Sequence, residues 1–232
     1  MTTTPDAARC VVITGAAGAL GRAVAQRFIA DGARLALLDR DAAPLNALFP
    51  SAALNLAVDI TDEAGVATAV QRIVQTFGRI DVLVHVAGGF EMGEPVHALT
   101  RASWDRMFNL NAWSFVCLSK PVVAQMLAQG RGKVIAVSAG AAREGQALKG
   151  AYIASKSALQ RLVEALSQEV RGKGINVNSV APTTMDTPAN RAAMPDADRS
   201  AWVGTEQAAA AIALLASPAG DAVHGQHLLL GA

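Results

Sequence analysis

The sequence predicts a single α/β domain built on a doubly wound parallel sheet of seven strands. Short apolar runs alternate with longer segments of helical periodicity, a pattern typical of consecutive β-α-β units. The runs are almost continuously hydrophobic, as strands are when helices cover both faces of a sheet. The predicted strands are Cys10–Thr14, Arg34–Asp39, Ala53–Val58, Ile80–Val86, Lys133–Ser138, Ile175–Val180 and Gln226–Leu230. We expect them to belong to one domain that spans residues 1–232.

Between the strands, apolar side chains recur at the spacing of one helix face. Three such stripes are Leu20, Val24 and Phe28; Val66, Val70, Ile73, Val74 and Phe77; and Leu159, Leu162, Val163, Leu166 and Val170. Thr205 is predicted to be the N-cap of a further helix, which ends before Pro218. The segment 183–204 is polar and irregular, and its length predicts a mobile lid because long loops are uncommon unless functional.

Composition excludes several classes of protein. The 232 residues include 20 Lys and Arg against 19 Asp and Glu, a net charge of +1, and 52% are hydrophobic but only 4% aromatic. Such a chain can bury a core, and it lacks the basic footprint and stacking rings of a nucleic-acid binder. No apolar run approaches the roughly 18 residues of a membrane span, and no secretory signal is visible.

Cysteines and histidines give no indication of a metal site. Cys10 and Cys117 are far apart, and the four histidines have no partners at a zinc-like spacing. Free cysteines are typical of a reducing compartment, so we expect a cytoplasmic protein.

A turn of small residues joins the first predicted strand to the first helix, in VVITGAAGALG. Small side chains let the backbone approach a phosphate, and the following helix offers free N–H groups and the positive end of its dipole. The spacing differs from G-x-G-x-x-G, but the strand–turn–helix context favours a dinucleotide site. The residues predicted to hold the phosphates are Gly15, Gly18, Ala19, Leu20 and Gly21.

Acidic residues end the second and third predicted strands. Asp39 can accept hydrogen bonds from both hydroxyls of an adenine ribose and would repel a 2′-phosphate, which favours NAD over NADP. Arg40 could instead stack on the adenine or contact such a phosphate. Asp59 could bind the adenine amino group, with Ile60 packed beside it, although Asp59 is also a candidate N-cap of the next helix.

The only tyrosine, Tyr152, lies four residues before Lys156 in YIASK. On a helix the two side chains share a face, and a lysine ammonium beside a phenol lowers the pKa of that phenol. Tyr152 is therefore a candidate general acid and base for a carbonyl or hydroxyl oxygen. Asn111, on an earlier predicted helix, could complete a polar relay.

In these motifs the chain resembles the classical short-chain dehydrogenases/reductases over nearly its whole length. The matching residues are Thr14 to Gly21, Asp39, Asp59, Asn111 in NLNAWSF, Tyr152 with Lys156, and INVNSVAPTTMDTP. The resemblance implies a Rossmann-like fold, hydride transfer to or from a nicotinamide, and a homodimer or homotetramer. It also implies that Lys156 binds the nicotinamide ribose and that Asn111 holds a water linked to Lys156.

The resemblance implies further cofactor contacts after the fourth and sixth strands. These residues are Ala87, Gly88, Gly89, Pro182, Thr183, Met185 and Thr187, with Thr187 bonded to the nicotinamide carboxamide. The family's Asn-Asn-Ala-Gly reads His85-Val86-Ala87-Gly88 here, and we expect His85 to be a buried, hydrogen-bonded structural residue. The family's Pro-Gly reads Pro182-Thr183.

The family's substrate-orienting serine falls on Ala139, with Ser138 one position earlier. Neighbouring strand residues point to opposite faces, so Ser138 can be catalytic only where the strand bulges or has ended. Ala139 and the segment 181–202 are also similar to the dihydropteridine reductases, which use NADH and lack the serine.

The leading hypothesis is an NAD(H)-dependent oxidoreductase that acts on a small carbonyl or alcohol, with Asn111, Ser138, Tyr152 and Lys156 as catalytic residues. One alternative is a dihydropteridine reductase. Another is a dinucleotide-binding sensor or scaffold without catalysis, although such a protein needs no acid–base relay. The substrate pocket is predicted to be apolar, and its expected lining is Phe90, Met92, Ala139, Gln146, Met185, Met194 and Trp202.

Overall fold

A computed structural model describes residues 8–51 and 53–231. The strands are β1 Cys10–Thr14, β2 Arg34–Asp39, β3 Ala53–Ala57, β4 Val82–His85, β5 Gly132–Val137, β6 Ile175–Pro182, β7 Met185–Asp186, β8 Val203–Gly204 and β9 His227–Leu230. Seven of them form one parallel sheet in the order β3-β2-β1-β4-β5-β6-β9. The predicted fold class, a Rossmann-like seven-stranded parallel sheet, is confirmed.

Helices cover both faces of this sheet, as the hydrophobic strands require. They are α1 Ala19–Ala30, α2 Ala42–Leu48, α3 Glu63–Phe77, α4 Arg101–Phe108, α5 Ser114–Gln129, α6 Gly150–Glu169, α7 Pro188–Ala193 and α8 Thr205–Leu215. Helices α3, α5 and α6 share one core with Val12 of β1, and α1, α2 and α8 share the other with Val11 and Ile13. The alternation along β1 is the two-residue period of a strand.

The three predicted apolar stripes face these cores. Val24 and Phe28 of α1, Val66 and Ile73 of α3, and Leu159 of α6 are all fully buried. The stripes therefore set which side of each helix packs on the sheet.

Helix starts differ from the prediction at two places. Asp62, not Asp59, caps α3, since its carboxylate accepts hydrogen bonds from the N–H groups of Ala64 and Gly65. The N-cap of α8 is Gly204, and Thr205 is the first helical residue. The side chain of Gln207 accepts a hydrogen bond from the Gly204 N–H at 2.9 Å, which fixes the start one residue earlier than the hydroxyl of Thr205 suggests.

The segment 183–204, predicted to be irregular, contains regular structure. Strands β7 and β8 pair in parallel, and α7 lies between them, capped by Thr187. Two-residue strands and a six-residue helix are too short to give a periodic pattern in sequence, so tertiary contacts rather than local propensity determine them.

The strand order reverses direction beside β1, with β2 on one side and β4 on the other. In open parallel sheets the crevice at the carboxyl ends of the strands at such a point is where ligands bind. Thr14, at the end of β1, and His85, at the end of β4, lie directly opposite each other there. No helix among the described residues is both long and apolar enough to cross a membrane.

Candidate active site

The glycine turn after β1 is closed so tightly that one position excludes any side chain. A Cβ on Gly21 would overlap the carbonyl oxygen of Gly15, and the N–H of Gly18 donates to that same carbonyl at 3.1 Å. Gly18 is the N-cap of α1, so the free N–H groups of the first turn face the crevice. The turn therefore has the geometry that an anionic phosphate needs.

Asp39 reinforces this turn from the end of β2. Its Oδ2 accepts a hydrogen bond from the Ala17 N–H at 2.9 Å, and its Oδ1 accepts one from the Arg40 N–H at 2.8 Å. Each carboxylate oxygen has two acceptor positions, so each retains one for a further donor. The side chain is held in place and can still bind a pair of hydroxyls.

Asp59 is held by its own turn. Its Oδ1 accepts hydrogen bonds from both the N–H and the hydroxyl of Thr61, at 2.9 and 2.7 Å, and these bonds lower the pKa of the carboxyl. Its predicted contact with an adenine amino group stays a prediction.

A cleft of about 1020 Å³ lies along the carboxyl ends of β1, β2, β3 and β4. It brings together most of the residues that the sequence predicts to bind a dinucleotide: Gly15, Gly18, Ala19, Leu20, Gly21, Asp39, Arg40, Asp59, Ile60, Ala87, Gly88 and Thr187. The predicted contacts Gly89, Tyr152, Lys156, Pro182, Thr183 and Met185 are not part of its lining. The Thr187 hydroxyl accepts the Asn190 N–H as the cap of α7, and its own hydrogen remains available, so the predicted bond to the nicotinamide carboxamide stays a prediction.

Asn111 joins the loop after β4 to helix α6. It lies in a π-helical turn, Asn109–Trp113, between α4 and α5, and its side chain is fully buried. Its Oδ1 accepts the Gly89 N–H at 2.8 Å, and its Nδ2 donates to the Gly89 carbonyl at 3.0 Å and to the Ser155 hydroxyl at 2.9 Å. Ser155 in turn donates to the carbonyl of Tyr152 at 2.7 Å.

Gly88, Asn111 and Lys156 converge at the end of the cleft. A Cβ built on Gly88 would lie 2.7 Å from Oδ1 of Asn111 and 2.9 Å from Nζ of Lys156. Because Gly88 also lines the cleft, the lysine ammonium lies at its border. The predicted relay residues are thus brought together, although no direct bond joins Asn111 to Lys156 within the described residues.

The expectation that Lys156 lowers the pKa of Tyr152 is wrong for this arrangement. Burial raises the pKa of the phenol to about 12, because a desolvated phenolate is costly. Nζ of Lys156 donates to the carbonyl of Val137 at 2.8 Å instead, and burial lowers the pKa of the ammonium to about 8. In this structure Tyr152 is a neutral phenol, and the Lys156 ammonium gives up its proton more readily than an exposed lysine does.

Ser138 does not present its hydroxyl as the sequence hypothesis requires. Its N–H extends the β5–β6 ladder by donating to Val180, and its buried hydroxyl donates to the carbonyl of Lys156 at 3.3 Å. The hydroxyl therefore fastens the end of β5 to α6.

His85 is a structural residue, as predicted. It is fully buried, with Nδ1 3.1 Å from the Thr14 hydroxyl and Nε2 3.1 Å from the Ser114 hydroxyl. Thr14 accepts the Ala87 N–H, and Ser114 donates to the Leu110 carbonyl. Thr14 can then donate to Nδ1 while Nε2–H donates to Ser114, an arrangement that a neutral imidazole satisfies.

The chain matches the sequence model of the short chain dehydrogenase family over residues 9–198. It belongs to the short-chain dehydrogenase family. Among curated relatives, the sorbitol dehydrogenase of Cereibacter sphaeroides is 36% identical over 77% of this chain and 71% of its own length. The cis-4-hydroxycyclohexanecarboxylate dehydrogenase of Sinomonas cyclohexanicum is 34% identical over 94% of this chain and 93% of its own.

Solved structures agree with this assignment. The 3-ketoacyl-(acyl-carrier-protein) reductase from Brucella melitensis, complexed with NADH, superposes with a TM-score of 0.87 at 25% identity, over 96% of each chain. The narrower resemblance to dihydropteridine reductases receives no support from these comparisons, whereas an oxidoreductase of the short-chain dehydrogenase family does.

Several residues that line the cleft of this dehydrogenase were not among the predicted cofactor contacts. Arg22, Val58, Arg106, Asn109 and Leu110 line it but were not predicted. Arg22 directly follows the last residue of the predicted turn, so its position in the sequence could have indicated that it lines the cleft. Ser155 was also missed, although it lies inside the YIASK motif and is fully buried.

The structure also bears on metal binding and on the two cysteines. Among residues 8–51 and 53–231, no group of three or more His, Cys, Asp or Glu side chains is placed to hold a metal ion. Cys10 and Cys117 are both buried free thiols.

Proposed function

We propose that this short-chain dehydrogenase is an NAD(H)-dependent oxidoreductase that moves a hydride between a nicotinamide and a small carbonyl or alcohol substrate. The observation that carries the proposal is the convergence of Gly88, Asn111 and Lys156 at the end of the cleft, one helical turn from Tyr152. A protein that only binds a dinucleotide would have no use for this acid–base group, which argues against a sensor or scaffold.

The glycine turn supports the choice of a dinucleotide. Its packing leaves no room for a Cβ at Gly21, and it directs the first N–H groups of α1 at the crevice. The turn would hold the diphosphate, and the Gly88–Gly89 loop would lie against the nicotinamide half. The cofactor, when bound, supplies or accepts the hydride.

Asp39 supports NAD over NADP. The carboxylate is fixed by Ala17 and Arg40 at the end of β2, and each oxygen retains an acceptor position for a ribose hydroxyl. A 2′-phosphate in the same place would meet a fixed negative charge. The NADH complex of the Brucella melitensis relative is consistent with this choice. Arg22 and Arg40 also line the cleft, and if the cofactor were NADP these two side chains would pair with its 2′-phosphate.

Tyr152 is proposed to give its phenolic proton to the substrate oxygen during reduction and to take it back during oxidation. The raised pKa suits the acid, because a neutral phenol retains its proton until the oxygen becomes basic. Lys156 would bind the nicotinamide ribose. Asn111 holds Gly89 and Ser155, so its proposed role is to keep the cofactor loop in register with α6.

Ser138 is proposed to position Lys156 rather than to bind substrate. Its hydroxyl is committed to the Lys156 carbonyl, and Ala139 offers no hydroxyl of its own. Tyr152 is then the single side-chain donor proposed for the substrate oxygen. Fewer donors give less stabilisation of a developing oxyanion, which suits a reactive carbonyl.

We also propose a homodimer or homotetramer in the cytoplasm. Leu228 and Leu229 are 38% and 40% exposed on β9, which lies at the edge of the sheet, and Leu214 of α8 is 52% exposed. Exposed apolar side chains on a strand edge are typical of a surface that another subunit covers.

Replacement of Tyr152 by phenylalanine tests the enzymatic role. The variant should bind NADH with the wild-type Kd, because the phenol is not part of the cleft lining, and its kcat on a carbonyl panel should fall by at least about 100-fold. Phe77→Tyr is the matched control, because it exchanges the same two residue types at the far end of α3, and its kcat should equal that of the wild type. Full activity of Tyr152→Phe would remove Tyr152 from the mechanism, and NADH binding without turnover by the wild type on the whole panel would favour the sensor.

A further inference from the structure

We infer that the protein has a second ligand site, which binds a small phosphate-bearing anion at the edge of the sheet opposite the cofactor cleft. The site is a hollow of about 580 Å³ at the amino ends of β1, β4, β5 and β6. This volume lies within the range of small-molecule pockets. The inference goes beyond the proposed function and does not depend on it.

More cationic than acidic side chains line this hollow. The cations are Arg9, Arg79, Arg131, Lys133 and Arg171, and the acids are Asp81 and Asp221. Five positive charges less two negative charges leave an excess of three. The whole chain has a net charge of only +1, so the excess is a local property of the hollow.

The two carboxylates balance two of these cations. Nε of Arg79 donates to Oδ1 of Asp81 at 2.9 Å. Nζ of Lys133 forms an ion pair with Asp221 and donates to Oδ1 of Asn176 at 3.1 Å. The remaining positive charge of the hollow therefore belongs to its other three arginines.

Two of these arginines, Arg9 and Arg171, have neutral partners in the described part of the chain. Arg9 donates to the carbonyl of Ala216 at 3.1 Å, and Nε of Arg171 donates to the side chain of Gln168 at 3.2 Å. A guanidinium has five N–H donors, so each of the two retains donors for a further acceptor. Neither bond cancels the positive charge.

The third arginine, Arg131, has only a distant carboxylate partner. Its Nε lies 3.9 Å from Oδ1 of Asp81, which is beyond hydrogen-bond range, and that oxygen already accepts from Arg79. The side chain of Arg131 is 57% exposed, so its guanidinium can reach a molecule in the hollow. Arg131 follows α5 directly before β5, on the same sheet edge as Arg171.

A phosphate group matches several guanidinium groups better than a carboxylate does. It offers three or more oxygens and up to about two negative charges near neutral pH, and arginine binds it through two parallel hydrogen bonds. A carboxylate offers two oxygens and one charge. Two linked phosphates, as in pyrophosphate, come closer to the local excess of charge than one phosphate does.

The hollow is separate from the cofactor cleft. Strand β5 begins at Gly132, which lines the hollow, and ends at Val137, whose carbonyl accepts a hydrogen bond from Lys156. A strand of this length at about 3.3 Å per residue places the two sites roughly 20 Å apart. No described residue lines both of them. A ligand in the hollow can therefore be bound at the same time as a dinucleotide.

Isothermal titration calorimetry with pyrophosphate tests the site. Arg131→Gln should raise the Kd for pyrophosphate about tenfold, because charged hydrogen bonds are lost, and the double variant with Arg171→Gln should raise it further. Arg131→Lys keeps the charge but not the paired donors, so its Kd should lie between those of the wild type and Arg131→Gln. Arg72→Gln is the matched control, since Arg72 is an exposed arginine of α3 outside the hollow, and its Kd should equal that of the wild type.

Further titrations locate the ligand and define its chemistry. Saturating NADH should leave the Kd for pyrophosphate unchanged, whereas a ligand in the cofactor cleft would be displaced. Citrate, which carries its charge on carboxylates, should bind more weakly than pyrophosphate. Inorganic phosphate and glucose 6-phosphate distinguish a free ion from a phosphorylated metabolite, and tighter binding of either one identifies the source.

Several results would overturn the inference. They are no binding of pyrophosphate by the wild type, a wild-type Kd in both Arg131→Gln and the double variant, an equal loss in Arg72→Gln, or displacement by NADH. Citrate bound as tightly as pyrophosphate would overturn the phosphate class. The thermal unfolding midpoint of each variant without ligand should stay near that of the wild type, because Arg131 and Arg171 are exposed, so a changed Kd reports on the ligand.

Discussion

Replacing His85 by asparagine should make the stability of the protein less sensitive to acid. The imidazole is buried between the hydroxyls of Thr14 and Ser114, and its neutral form can accept from the first and donate to the second. Burial, assisted by the positive charge of Lys156, lowers its pKa from 6.5 to about 3. Asparagine offers a donor and an acceptor of its own but does not titrate in this range.

The magnitude follows from the two pKa values. Between pH 6.5 and 3, the unfolded chain binds a proton at His85 that the folded chain does not bind. The stability conferred by the neutral imidazole is therefore complete above pH 6.5 and is lost as the pH falls towards 3. One pKa unit corresponds to about 1.4 kcal/mol, so the wild type should lose roughly 3 kcal/mol at pH 4.5 from this residue alone.

Urea unfolding at pH 7 and pH 4.5, at one fixed protein concentration, measures the difference. His85→Asn should start from a lower free energy of unfolding at pH 7 but lose roughly 3 kcal/mol less than the wild type on acidification. His97→Asn, at an exposed histidine, should follow the wild type. Equal losses for wild type and His85→Asn would refute the neutral, doubly bonded imidazole.

Four further predictions address the cleft and the residues around it. The near-ultraviolet absorbance of Tyr152, the only tyrosine, should titrate with a midpoint of about 12, and a midpoint near 10 would contradict its burial. Gly21→Ala should weaken NADH binding by at least about tenfold in a fluorescence titration, because its Cβ displaces the carbonyl of Gly15, and unchanged binding would argue against the turn as the phosphate site. Asp39→Ser should raise the ratio of NADPH to NADH kcat/KM by about tenfold or more, and an unaltered ratio would remove Asp39 from cofactor selection. Ser138→Ala should cost about 1 kcal/mol of stability in urea and leave kcat within about twofold, whereas a large loss of kcat at full stability would restore its catalytic role.

Most of the fold could be predicted because the spacing of apolar residues along the chain is visible in the local sequence. Strands β1 and β2 have the predicted bounds, and their alternate residues divide between the two cores. Strand β4 is shorter than predicted, since the Ile80 N–H donates to the side chain of Gln129 instead of to a neighbouring strand. That partner is 49 residues away, and no local pattern indicates it.

The site was predictable where one element determines the geometry. The four-residue spacing in α6 places Tyr152 and Lys156 on one face, and the turn after β1 positions its own glycines. Bond directions set by other elements were not predictable. The Lys156 ammonium is directed to Val137 and the Ser138 hydroxyl to α6, and both depend on how β5 packs against that helix.

Isotope transfer from the cofactor to the product measures the proposed hydride transfer and its dependence on Tyr152. With NADH that carries deuterium at both positions of the transferring carbon, the wild type should place one deuterium on the carbinol carbon of the reduced product, as mass spectrometry would detect. Tyr152→Phe should yield at least about 100-fold less of that product at the same cofactor occupancy. A reduced product without deuterium would rule out direct hydride transfer, and equal labelling by the phenylalanine variant in the same time would rule out a role for Tyr152.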